Sequence, residues 1–92
     1  MALAPVDRFQ GYPDGPLNPA RQANMVTPHD TNPLPVVAKG LYIGGGGDVT
    51  VRAVDSPADA VYKAMPAGSY INVQIAYVRN TGTSATFIVA EV

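Results

Sequence analysis

The tetraglycine Gly44–Gly47 is the most conspicuous stretch whose residue types could do chemistry. A phosphate-cradling loop sets its glycines before a helix N-terminus that receives the anion, and usually adds a Lys-Ser/Thr pair. Here the strand-like run Asp48-Val49-Thr50-Val51 follows instead, so the tract reads as a bend or a close main-chain approach. Consecutive glycines raise the entropy lost on folding. Retaining them implies a sharp bend or a close fit against another chain, which makes Gly45 and Gly46 candidate interface residues.

His29, the sole histidine, stands beside Asp30 in Thr27-Pro-His-Asp-Thr-Asn-Pro33. Adjacent side chains in extended chain do not face each other, and no motif places a Ser or Cys nucleophile nearby. A zinc site needs several N or S ligands, and the sequence has one His and no Cys. His29 therefore reads as a turn residue. Asp14, Asp30, Asp55 and Asp59 read as turn formers. No window has the alternating oxygen ligands of a calcium loop, and nothing selects a carboxylate pair for glycoside cleavage. No catalytic, cofactor-binding or metal-ligating set emerges, and the chain reads as non-enzymatic with no cofactor. Asn72, Gln74 and Tyr77 could compose a sugar-binding surface, since such sites combine aromatics with amides.

The elements positioning these residues are strands. In Val36–Ile43, Val37, Leu41 and Ile43 share one face while Val36, Ala38 and Tyr42 take the other. Asp48–Val54 resumes the alternation after the glycines, which predicts a hairpin with a glycine tip. Turns at Asp55–Asp59 and Pro66–Gly68 bracket a short strand over Ala60–Met65. The longest strand is expected at Tyr70–Arg79, and Asn80–Ser84 turns the chain into a last strand where Phe87 and Val89 oppose Ile88 and Ala90. No helical period is sustained. The pattern predicts an all-β fold, a small antiparallel β-sandwich or barrel of about five to seven strands.

That β-domain spans 34–92, and residues 1–33 form an extended proline-rich arm. Proline at 5, 13, 16, 19, 28 and 33 fixes φ, removes amide donors and holds each preceding residue extended. Phe9, Tyr12, Leu17, Met25 and Val26 are apolar residues of a kind that disordered tails lack, so the arm is expected to be ordered by packing on its own domain or on another subunit. Phe9, Tyr12, Leu17 and Met25 are its candidate anchors. Whether a strand near Ala23–Thr27 completes the sheet is open.

Of 92 residues, Lys and Arg number six against seven Asp and Glu, and charged residues make up 14%. Soluble domains average ~25% charged. The basic residues are dispersed singly, whereas a nucleic-acid surface concentrates them, so no nucleic-acid partner is expected. The N-terminus lacks the basic and apolar regions of a signal peptide, and no apolar run reaches the ~20 residues of a membrane helix. A foldable region of ~60 residues has a marginal core, and without cysteine no disulfide can support it. Burial against other copies is the alternative, and low charge with 47% apolar residues fits it.

The run Thr27-Pro-His-Asp-Thr-Asn-Pro-Leu-Pro-Val-Val-Ala-Lys-Gly-Leu-Tyr-Ile-Gly-Gly-Gly-Gly-Asp-Val-Thr-Val51 resembles the head spike-base family of tailed bacteriophages and gene transfer agents. Met65-Pro-Ala-Gly68 and Asn80-Thr-Gly-Thr-Ser-Ala-Thr86 match two later signatures of that family, so the resemblance covers residues 25–92. These are turn motifs around strands, and their order and spacing carry more weight than any one of them. The glycine tract departs from the pattern by a Gly where Ala is common. The resemblance implies a homo-oligomeric virion structural protein without catalytic residues, assembled in the host cytoplasm and lying on the outer surface of the head. It implies the major capsid protein as partner, and a spike or fibre protein docked above. A spike base at a fivefold vertex would be a pentamer, a capsid decoration or cement protein more often a trimer. The alternative is a carbohydrate-binding β-module of a fibre or tail tip.

Overall fold

A computed structural model describes residues 5–8, 10–15 and 17–92. Among them are seven strands: β1 Ala23–Met25, β2 Gly40–Gly45, β3 Gly47–Ala53, β4 Ala60–Met65, β5 Ser69–Ile71, β6 Ile75–Val78 and β7 Thr86–Glu91. They form a four-stranded sheet in the order β1-β7-β2-β5 and a three-stranded sheet in the order β4-β3-β6, with every pairing antiparallel. The inward residues of both make one core: Leu41 and Ile43 from β2, Ile71, Ile88 and Ala90 from the same sheet, and Val49, Val51, Ile75 and Val78 from the other. The fold is an antiparallel β-sandwich, all-β as the alternation predicts.

Two expected strands are divided between the sheets. β2 and β3 do not pair; β2 lies between β7 and β5, and β3 between β4 and β6. The glycine tract is therefore a crossover from one layer to the other and not a hairpin tip. Gly47, with φ 154°, lies where a Cβ would come 2.7 Å from the Ala85 nitrogen. The long strand expected at Tyr70–Arg79 breaks at Asn72–Gln74. Its first part pairs with β2 and its second with β3. Ile71 and Ile75 are both buried while Val73 is exposed; one unbroken strand would put all three on one face.

The phase also slips before β2. Val37, expected to face inward with Leu41 and Ile43, lies at the surface, and Ala38 takes the buried place by a bridge to Ile75. Regular pairing begins only at Gly40, so the alternation cannot be extended back through Lys39.

The segment before β2 closes the edges of both sheets. β1 pairs with β7, and the pairing extends through Val26 N–H to Ile88 O at 2.9 Å. Farther on, His29 N–H donates to Val78 O at 2.9 Å and Leu34 N–H to Ala76 O at 2.8 Å. These bonds occupy acceptors along β6 that would otherwise invite another strand.

Candidate assembly surface

The register of the four-stranded sheet sets Met25 opposite Val89, Val89 opposite Tyr42 and Tyr42 opposite Tyr70. Directly opposed residues of antiparallel strands share a face. The flanking Leu41, Ile43, Ile71, Ile88 and Ala90 are buried, so this row projects outward. It is an apolar stripe crossing all four strands, exposed at Met25, Tyr42 and Tyr70 and half-buried at Val89.

Phe87 extends the stripe. Two residues from Val89 on the same face, it is 70% exposed, and its φ of 52° is in the left-handed region. A bulky aromatic there is a genuine outlier, and such strain persists where the surrounding structure fixes it, often at contact sites. Glycines in β2 make room for the rings. A Cβ on Gly44 would lie 2.8 Å from the Phe87 Cβ, and one on Gly40 would overlap the Tyr70 ring. Glycine inside a strand marks such close approaches. The Tyr70 hydroxyl donates to Glu91 Oε1 at 3.0 Å. Partial burial, then the Glu91 carboxylate beside it, raises the Tyr70 pKa above its ordinary 10.0.

The opposite outer face carries charged side chains beside the half-exposed Val61. Asp59 sits between Arg52, whose Nε lies 3.2 Å from Oδ1 without hydrogen-bond alignment, and Arg79, whose Nε donates to Oδ2 at 3.2 Å. The Arg79 guanidinium lies 4.3 Å from the centroid of the Tyr77 ring, and that of Arg52 lies 5.9 Å away. Lys63 is 4.0 Å from Asp48. Arg52 and Arg79 share the one Asp59 carboxylate and Lys63 faces Asp48, so these cations are not gathered into a stripe for a polyanion.

Of the residues suited to a sugar, only Tyr77 lies within a strand. Tyr77 pairs with Arg52 inside the three-stranded sheet under the guanidinium of Arg79, whereas Asn72 and Gln74 lie at the corner between layers. His29 is a turn residue: its Nδ1 accepts from the main-chain N–H of Thr31 and of Asn32, each at 3.1 Å. Asp30 is a fastener. Its carboxylate accepts from Thr81 N–H at 2.7 Å and Thr81 Oγ1 at 2.8 Å, and its carbonyl accepts from Arg79 at 2.7 Å. The Thr81 main-chain bond, followed by the hydroxyl bond, holds the Asp30 pKa below 3.8.

Of the candidates from sequence, Met25 lies on the apolar stripe. Tyr12 and Leu17 project from the segment before β1, 68% and 98% exposed, and Phe9 lies outside the described residues. Around Tyr12 an open hollow is lined by Pro5, Val6, Pro13 and Pro19. An Asp7–Arg21 ion pair spans this segment, and Asp14 ties it to Lys39 at 2.6 Å. Gly45 and Gly46 approach their own chain. A Cβ on Gly45 would strike Thr86 Oγ1, and one on Gly46 would lie 2.9 Å from Met65 O. The sequence reading missed Phe87, Tyr70 and Tyr42 as a set. Alternation put Phe87 and Val89 on one face, but their neighbours across the sheet depend on a strand order that the sequence does not state.

No family model matches the sequence, and no curated protein does. Among solved structures, the chain is similar to one from the "capsid of native GTA particle computed with C5 symmetry", a gene transfer agent, at 26% identity and a TM-score of 0.82. The match covers 95% of this chain and 100% of that one. It concerns the whole sandwich with the segment before it, and supports a capsid-related protein of the phage and gene transfer agent type.

Proposed function

We propose that this chain is a non-enzymatic structural protein on the outer surface of a phage-like head, serving as the base of a head spike and docking by the apolar face of its four-stranded sheet. The observation that carries the reading is the likeness, over nearly all of both chains, to a component of a gene transfer agent capsid. The exposed stripe of Met25, Tyr42, Tyr70 and Phe87 supports it, because contiguous exposed apolar surface with aromatic anchors marks protein interfaces. Partners of the same reading are other copies of the chain, the major capsid protein beneath and a spike or fibre protein above. A spike base at a vertex would be a pentamer, a decoration protein more often a trimer. The test is a map of the particle with the number of copies per head. Tens of copies at vertices support a spike base, and hundreds across the shell support the decoration role. Absence from purified heads overturns both.

A further inference from the structure

We propose that β1 is an exchangeable strand, with Ala23–Met25 of one copy pairing with β7 of a neighbouring copy in the assembled protein. The inference rests on the homo-oligomeric reading above and names the contact that joins the copies. All three residues of β1 are exposed, so the strand puts no side chain into the core. Main-chain bonds hold it, together with the adjoining Val26 side chain packed against the core. Arg21 and Gln22 N–H donate to Val92 O at 2.8 and 2.9 Å, Val92 N–H returns to Gln22 O at 2.8 Å, and Val26 N–H donates to Ile88 O at 2.9 Å. The same segment of any copy supplies the same bonds, so exchange changes little but chain connectivity.

The residues on either side of β1 are held very differently. Upstream, among the described residues, polar ties run to Lys39, which meets the exposed Asp14 carboxylate at 2.6 Å and Asn18 O at 3.1 Å with its own side chain 15% exposed. Downstream, His29 N–H bonds to Val78 O, Asp30 to Thr81 and Leu34 N–H to Ala76 O, which clamps the turn to its own domain. Between β1 and the clamp lie Val26, Thr27 and Pro28. The proline keeps Thr27 extended, a connector suited to reaching outward as readily as along its own sheet. From His29 back to Val26, whose bond to Ile88 moves with the strand, the chain can span ~10 Å, so the acceptor β7 must lie within that distance of the clamp. The bonds being equal, concentration decides the pairing, and a crowded particle surface favours the neighbour.

The absence of cysteine from the sequence makes a clean test. Ala23 and Glu91 are direct partners. The adjacent Gln22–Val92 pair exchanges both main-chain bonds, so position 23 faces position 91 at a non-hydrogen-bonded site, where Cα atoms stand ~4.5 Å apart, within disulfide reach. Full-length A23C/E91C, half of it isotope-labelled, is refolded with its unlabelled counterpart at high concentration, oxidised and digested. Exchange predicts covalent oligomers, with up to about half of the links between the two positions joining a labelled to an unlabelled peptide. M25C/V89C reads the same register should the first pair impair folding. The single variants A23C and E91C report random collision. Links confined to same-isotope peptides, links no more frequent than in the single variants, or no link at all overturn the proposal. A monomer linked only to itself leaves the capsid reading standing, since the particle map tests that separately.

Discussion

Phe87 stores local strain in a place where the fold itself gains little. Its left-handed φ and exposed ring are costly for a residue that only closes a sheet. Phe87→Asn should leave the thermal midpoint nearly unchanged, because Asn tolerates that conformation. Attachment to the particle should fall tenfold or more, roughly 1.4 kcal/mol, read by co-sedimentation with heads. Gly46→Ala tests the crossover. The new methyl would press on Met65 O at 2.9 Å and the Ala67 nitrogen at 3.2 Å, and main chain cannot turn aside. A loss of about 1–3 kcal/mol is expected in urea denaturation. Asp30 sets a pH dependence. Its folded pKa lies below the unfolded 3.8, so the folded state binds the proton less well. The contribution is present in full above the ordinary carboxylate range and is lost as pH falls through the lowered value. The stability difference between wild type and Asp30→Asn should therefore stay constant from neutrality into mild acid and shrink only below it.

The segment before β2 is an element of the sandwich. β1 covers the edge of β7, and residues 29–38 follow β6. Unpaired edges recruit foreign strands. A chain lacking residues 1–20, which ends short of β1, should keep the sandwich and test whether Tyr12 and Leu17 serve attachment. Removing residues 1–26 should bare β7 and produce concentration-dependent aggregation, visible by light scattering. If the longer truncation stays monodisperse, β1 does not act as an edge cover. The strands from β2 onward are legible from alternation and turn residues, with β5 and β6 read as one strand, while β1 stays open from sequence. Their membership in one sheet or the other is not legible. A period of two reports which residues share a face, and it is silent about the strand on either side. The break at Asn72–Gln74 illustrates this: Ile71, Val73 and Ile75 read as one face, and only the separate pairing of β5 with β2 and β6 with β3 turns Val73 outward.

At the scale of the molecule the sandwich has two unlike outer faces, one apolar and aromatic, the other carrying the Arg52–Asp59–Arg79 cluster. Only the first is expensive to leave in water. The core between them is small. Ile43, fully buried, should cost about 2–5 kcal/mol on substitution by Ala, a large part of the ~5–15 kcal/mol that holds typical domains folded. Ile43→Ala should therefore be substantially unfolded as a free chain, by loss of amide dispersion in NMR spectra. Partial rescue on addition of assembled particles would show that assembly supplies stability, as mass action requires.

The sequence by itself determined the all-β class, the proline-stiffened lead segment, the turn role of His29 and the low, dispersed charge, because each follows from residue type and local spacing. Only the tertiary structure decided that the glycines cross between layers, that β1 closes a sheet, and that Met25, Tyr42, Tyr70 and Phe87 form one surface. Those four residues come from four strands spread along the chain. They become neighbours through long-range hydrogen-bond register, which local periodicity does not encode.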